Sequence, residues 1–347
     1  MKKFILALCV LLGLVSLTAC DDDATIRYVN DKGEETTLNV YATDDKETVQ
    51  AVLNFASQAK YDDVTSFTLK QSASISASFS KDAAAAFPEL AANSKVSGHA
   101  SMAVNASEKD GLDVSVSGDL SLSKNEKASF KADVLYEGAL EAMYTSEEYL
   151  YVNASYDVTS PSNTSKGEVK QAVDPMTVLD EMEDDLEDIF SKFLPTDVPS
   201  MDDPNSFTVE EFYDTFKNSK LAISKVKNGV IYIDVVLYLK DILLQGDKIE
   251  HLDLKTLLML NSDFTFSFGV EASTGRLCEF SFVYDDAKTM NLLLSMLLGK
   301  TCHEMEATTS ISLIDTFRVE GKLTIEYNKA KIRTLSVAEK AKYALAA

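Results

Sequence analysis

The chain has 347 residues, a formal net charge of −22 at pH 7 and no tryptophan. So acidic a surface repels nucleic acid and anionic headgroups, which excludes a nucleic-acid role. The length suffices for a large core in one big domain or two modest ones, and the missing tryptophan argues against carbohydrate platforms built on indole stacking.

The first residues read as a secretion signal. Lys2 and Lys3 form a positive n-region, Phe4 to Leu17 an apolar stretch, and small residues precede a cysteine. The apolar stretch is too short to cross a hydrocarbon core of ~30 Å as a permanent helix, so 1–19 is expected to be a processed signal peptide. Leu17-Thr18-Ala19-Cys20 resembles the lipobox of bacterial lipoproteins. The resemblance implies that Cys20 is lipidated and becomes the first residue of the mature protein. Two acyl chains at ~0.8 kcal/mol per buried methylene anchor stably, where one is marginal. It further implies a cell-membrane protein facing outside the cytoplasm, with 20–24 as lipidated N-terminus and short tether. Asp21, directly after the cysteine, resembles the signal that retains Gram-negative lipoproteins on the periplasmic face of the inner membrane; in a Gram-positive cell it carries no such meaning.

A hairpin is expected next, Thr25 to Val29 and Thr36 to Tyr41 around Asn30-Asp31-Lys32-Gly33. Asp44 with Glu47 predicts the start of a helix running to about Ala59. The apolar period then changes from 3.6 to 2. Phe67, Leu69, Ala73, Ile75, Ala77 and Phe79 alternate with serines, threonine and lysine, and three further runs begin at Val96, Leu112 and Ala128. The run from Ala128 to about Tyr144 is expected to contain a bend or hairpin near Glu137-Gly138. A fifth run shows Leu150, Val152, Ala154 and Tyr156. Sustained alternation predicts long antiparallel strands with one wet and one covered face.

Asp174-Pro175 predicts a helix start with proline at the first position, with an apolar stripe of Leu179, Met182, Leu186, Ile189 and Phe193. Thr196 to Asn205 reads as a linker, and Thr208-Val209-Glu210-Glu211 as a capping box. Strands are expected again over Lys220 to Lys227, Gly229 to Leu239, Phe264 to Ala272, Gly275 to Tyr284 and Met305 to Tyr327. Leu-rich segments at Leu239 to Leu260 and Met290 to Leu298 read as helices covering the sheet. Ser336 with Glu339 caps a closing helix over 336–347. The expected organisation is a β-rich domain over 25–335, of two halves joined near 195–206.

No motif carries catalysis. Gly299-Lys300-Thr301 ends like a phosphate loop, but Leu294 stands where its first glycine belongs. Ser78 to Lys81 and Ser121 to Lys124 fit Ser-x-x-Lys at strand ends, where residues three apart point to opposite faces. The three histidines, His99, His251 and His303, are widely separated. An enzyme, a metal and a cofactor are therefore not expected. Of four cysteines, Cys278 and Cys302 remain after Cys9 and Cys20. Either they form a disulfide, which stabilises by roughly 3 kcal/mol over such a loop, or they are two separate buried thiols.

The apolar face of the first five runs is unusual for its small side chains. Ala73, Ala77, Gly98, Ala100 and Gly118 are interleaved there with Ile75, Met102, Val104, Val116, Phe130 and Val134. Interiors pack to crystal-like density, so two readings stand: closely seated helices, or a hollow lined by these eleven residues that takes an apolar ligand. The second half carries Phe264, Phe266, Phe268, Phe280 and Phe282 instead, which fill such space themselves. The helix around Val49 to Ala59, then Thr65-Ser66-Phe67-Thr68-Leu69, then the meander, resemble the LolA/LppX-type lipoprotein-carrier and lipid-binding fold. The expected class is α+β and β-dominated, a large curved antiparallel meander sheet, half-barrel-like, with covering helices. The resemblance implies binding of a lipid or other apolar small molecule; the rival expectation is a non-catalytic envelope interaction or structural lipoprotein with a fully packed core.

Overall fold

The computed structural model describes residues 23–176, 208–238, 263–291 and 313–345, apart from 31, 82, 84–93, 124, 144, 146, 147 and 217 within them. Cys20 and its signal, the linker at 196–205, the stripe from Leu179 to Phe193 and nearly all of both Leu-rich segments lie outside the described residues. So do His251, His303, Cys302 and Gly299-Lys300-Thr301.

The fold is β-dominated. A hairpin, β1 (Ala24–Val29) and β2 (Glu35–Val40), precedes helix α1 (Lys46–Ser57). There follow β3 (Ser66–Phe79), β4 (Lys95–Ser107), β5 (Gly111–Ser123), β6 (Glu126–Glu137), β7 (Leu150–Ser160) and β8 (Asn163–Val173). After helix α2 (Val209–Thr215) come β9 (Lys220–Lys227), β10 (Val230–Tyr238), β11 (Asp263–Glu271), β12 (Leu277–Tyr284) and β13 (Ile314–Tyr327). A short helix α3 (Val337–Lys340) and β14 (Ala344–Leu345) close the described chain.

Among the described residues, all strands apart from the β1–β2 hairpin form one twelve-stranded sheet in the order β14-β8-β7-β6-β5-β4-β3-β13-β12-β11-β10-β9. Every neighbour is antiparallel except β14, which lies parallel to β8, and the sheet does not close into a barrel. Two meanders are joined back to back where β13 pairs with β3, from Ile314↔Phe79 to Tyr327↔Phe67.

The helices begin where side chains satisfy their first N–H groups. Asp45, one residue beyond the expected Asp44, accepts the Thr48 N–H at 2.9 Å and its hydroxyl at 2.7 Å. Those bonds favour the ionised form and hold the Asp45 carboxyl below its ordinary range. Thr208 with Glu211 and Ser336 with Glu339 are reciprocal capping boxes. The closing helix is shorter than expected: it stops at Lys340, and the chain turns into β14 instead of continuing to 347. The fourth run bends where expected, its strand ending at Glu137 before Gly138, whose φ of 149° lies in the glycine-favoured region, and it does not continue as a strand beyond that bend.

Opposite residues in an antiparallel ladder share a face, so the registers trace one apolar face across the sheet. At the β9 end it is covered. Val49, Val52 and Phe55 of α1, Val209 and Phe212 of α2, and Ile26 and Val40 of the hairpin pack on Leu221, Ile223, Ile231, Ile233 and Val270. Each such side chain contributes about 1.5–3 kcal/mol by burial. Thr43 exchanges two backbone bonds with Ile223, at 2.9 and 2.8 Å, so the outer edge of β9 is occupied there. In the middle, Leu69, Phe280, Leu323, Ile325 and Tyr327 form a second core.

The other face is polar, and the C-terminal segment crosses it. Leaving β13 at Asn328, the chain brings Ile332, Leu335 and Tyr343 onto Leu135, Tyr151 and Ala172 of β6–β8. Arg333 pairs with Asp113 at 3.2 Å, Glu137 accepts the Leu335 N–H at 2.7 Å, and Lys340 pairs with Glu137 at 3.2 Å. This strap fastens the β6–β8 end from behind.

Candidate functional site

All eleven candidate lining residues lie on the apolar face, in rows that cross the strands. One row is Ala73, Ala100, Gly118, Phe130, Tyr156 and Gly167. Beside it runs Ile75, Gly98, Leu120, Ala128, Val158 and Ser165, and on its other side Gln71, Met102, Val116, Ala132, Ala154 and Val169. Val104 and Val134 fall in the next row with Leu69, Val114 and Val152, and Ala77 stands opposite Val96 at the far end.

Exposure sets this end apart. Phe130 is 51 % exposed, Tyr156 50 % and Val169 51 %, and Ile75, Leu120, Leu122 and Val158 are exposed as well. The covered face expected for the first five runs is, among the described residues, exposed at Ile75, Ala100, Leu120, Leu122, Phe130, Tyr156 and Val158 and half-buried over most of the rest. A groove of about 470 Å³ crosses β6–β8 at Phe130, Tyr156 and Gly167. The side chains that line it are those of the polar face, Ser129, Lys131, Ser155, Asp157, Lys166 and Glu168, so it is no hollow on the apolar face. It is a concave stretch of open surface, not an enclosed hollow.

Small residues here do not all leave space. The Phe130 ring folds over Gly118, where an added Cβ would stand 2.5 Å from Cε1. Tyr156 does the same at Gly167, with 2.4 Å to Cε1. These are cross-strand pairs in which a ring occupies the place of its partner's missing side chain. Gly118 is therefore no vacancy. Ala100 is exposed and is the shallow position, whereas a Cβ at Gly98 would press on the Ile75 side chain at 3.2 Å.

Behind the face, the backing is tied on the polar side. Asp133, 5 % exposed, accepts the Ser115 hydroxyl at 2.6 Å and the Lys131 ammonium at 2.8 Å. Burial pushes its carboxyl up, but Lys131, Ser115 and the Arg333 charge prevail, and its pKa is lowered. Ser101 and Ser117 share a bond of 2.7 Å, and Thr68 donates to Asn105 at 2.8 Å.

The remaining chemistry is sparse. His99 stands 3.8 Å from Asp119, both exposed. The Ser78 hydroxyl meets the Thr316 hydroxyl at 2.6 Å. Among the described residues no three His, Cys, Asp or Glu side chains converge on a metal position, and no helix is long and apolar enough to cross a membrane. Cys278 is buried, donates to the Gly269 carbonyl at 3.3 Å, and has its thiol pKa pushed up to about 12, first by burial and then by Glu271 and Glu279.

Sequence reasoning missed part of this face. Val169 belongs to β8, which was not expected as a strand because Asn163–Val173 alternates polar with polar over most of its length. The usable signal was the two-residue turn Pro161-Ser162 directly after β7. Tyr156, Leu120, Leu122 and Val158 were legible as the apolar side of their strands, but not as exposed. Comparison with protein-family models, curated proteins and solved structures yields no match.

Proposed function

We propose that this is a membrane-anchored, extracytoplasmic lipoprotein that binds a lipid or similar apolar ligand against the apolar face of β3–β8. One observation carries the reading: seven large apolar side chains, Ile75, Leu120, Leu122, Phe130, Tyr156, Val158 and Val169, are exposed together on one face of one sheet end. Monomeric soluble proteins rarely leave such contiguous apolar surface in water unless it meets a partner. Convergent polar groups are few, which suits a ligand held by area and shape rather than by charge. Cys20 supplies the anchor in this reading, and the lipobox and half-barrel resemblances agree with it. No catalytic step is assigned.

The test is native mass spectrometry of detergent-free protein, followed by organic extraction. A co-purified lipid that is lost in Ala100→Phe supports the reading. Ala100 is the position to fill, because a side chain at Gly118 collides with Phe130 whether or not a ligand is present. A clean protein mass, with no uptake of a fluorescent fatty acid, overturns it. The second reading, a non-catalytic envelope interaction protein, is favoured by the openness of the same face, and a protein partner recovered by crosslinking would select it.

A further inference from the structure

We propose that the outer edge of β8 is a self-association surface, on which two copies of this chain pair β8 against β8 in antiparallel fashion about Gly167. This inference does not rest on lipid binding. Strand β14 pairs only with Gln171 and Ala172, so among the described residues the outer edge from Thr164 to Lys170 carries no strand. An open edge is a template for pairing with another chain, and the side chains along it decide which chain fits.

The pattern Thr164-Ser165-Lys166-Gly167-Glu168-Val169-Lys170 complements itself about its centre. With Gly167 on a two-fold axis, Lys166 stands opposite Glu168 of the second copy, and Glu168 opposite its Lys166. Opposite charges across a ladder attract and like charges repel. Thr164 then meets Lys170. Alternate residues of an edge strand turn their N–H and C=O groups outward, and this register matches residues of one alternate set with that same set, as a ladder requires. A register centred two residues later would run Gln171 and Ala172 into β14; one centred two residues earlier would place Ser162 of the turn opposite Glu168. The free stretch and its charges therefore select the same register. Lys166 already contacts Asp157 at 2.5 Å and Lys170 contacts Glu168 on the same polar face, so each new pair joins an existing row of alternating charge.

On the apolar face the axis is equally permissive. Gly167 has no side chain, and the Tyr156 ring lies over it. Two such glycines on the axis bring the Tyr156 rings toward each other with nothing between them, and make the exposed surface of Phe130, Tyr156 and Val169 continuous across both copies. The opposite end of the sheet is built against this. Edge strand β9 carries Lys220, Lys225 and Lys227 with no acidic residue, so self-pairing there opposes like charges, and Thr43 already occupies Ile223.

The test is sedimentation equilibrium of the purified protein with two charge reversals. Wild type is expected to show a reversible monomer–dimer equilibrium. Lys166→Glu places glutamates opposite each other twice, and Glu168→Lys does so with lysines; each should weaken the dimer about tenfold or more. Mixing the two variants restores complementary pairs, as does the double reversal, so both should recover wild-type association. Unchanged melting of each variant separates this from a folding defect. A wild type that stays monomeric to its solubility limit, single variants that dimerise as tightly as wild type, or a mixture that does not recover would each overturn the proposal.

Discussion

The two ends of the sheet share one alternation and end in opposite states. From β9 to β11 the apolar face is roofed by α1, α2 and the β1–β2 hairpin. Strands β12 and β13 place Phe280, Leu323 and Ile325 in the second core against Tyr61 and Val64, and Ile233 and Phe280 are each 2 % exposed. From β4 to β8 the same face continues without interruption through the ladders, yet Phe130 and Tyr156 lie half in water. Period alone reports which side chains share a face. It does not report whether anything lies on that face, since a buried strand and a ligand-facing strand obey the same alternation. The contrast lies in side-chain size: the roofed end fills itself with phenylalanine and isoleucine, while the open end sets a few large residues among alanines and glycines.

The largest expected effect comes from testing that contrast in the core. Phe280→Ala should cost about 3–5 kcal/mol, the range for deleting a buried aromatic side chain. Phe130→Ala should cost under about 1 kcal/mol, because much of the ring already meets solvent. Chemical denaturation of both variants checks the pair. Equal costs would break the comparison, since Phe130 would then have to be as enclosed as Phe280.

Next in size is Asp133, which fastens the open end from its polar side. Asp133→Asn should cost about 1–3 kcal/mol, because Lys131 and Ser115 lose a buried charged acceptor. The pH dependence has a definite sign. Folding lowers the Asp133 pKa below its ordinary value of 3.8, so this stability is present in full above that value. It is lost as the pH falls below it and through the folded pKa. Denaturation midpoints of wild type should therefore fall toward those of the Asn variant in strong acid. A gap that stays constant across this window would remove the charge from the explanation.

The aromatic–glycine pairs give a third and finer test. Gly118→Val should cost about 1–3 kcal/mol by overpacking, since its Cβ collides with the Phe130 ring. Adding Phe130→Ala should recover most of that loss. Such coupling between touching residues is what a double-mutant cycle measures. Additive costs would mean that the ring does not depend on the missing side chain.

Much of this arrangement was legible in the residues, and the misses have physical causes. Strand β9 has the expected bounds, Lys220 to Lys227, because its apolar alternation is uninterrupted. The cap of α1 is at Asp45, not Asp44: two neighbouring carboxylates both suit the role, and only the geometry of Thr48 chooses between them. Strand β8 was invisible because an edge strand needs few apolar residues; a partner on one side and charged side chains suffice. The helix expected over 336–347 ends at Lys340 because Ala344 and Leu345 find backbone partners on β8. Helix propensity yields there to a tertiary ladder. Nothing local could have announced that β3 meets β13, where Ser74 donates to Glu320 across a separation of 246 residues. The eleven lining candidates followed from alternation and do share one face. Their exposure depends on what is stacked above them, and that is a property of the assembled sheet.

The smallest expected stability effect carries the most information about function. Val169 is half exposed on β8, next to Tyr156 and across from Ala154. Val169→Ser should change stability by no more than about 0.5 kcal/mol, as surface substitutions do. In the proposed reading the same change removes apolar contact area from the ligand's wall, so uptake of a fluorescent fatty acid should fall while the melt stays put. Those two readouts separate a wall that binds from a wall that only packs. A loss of about 2 kcal/mol or more would place Val169 in a dry interior and make the open end resemble the roofed one. A silent melt with undiminished uptake would leave the face apolar without a ligand of its own, and the reason for its exposure would then lie in association with protein.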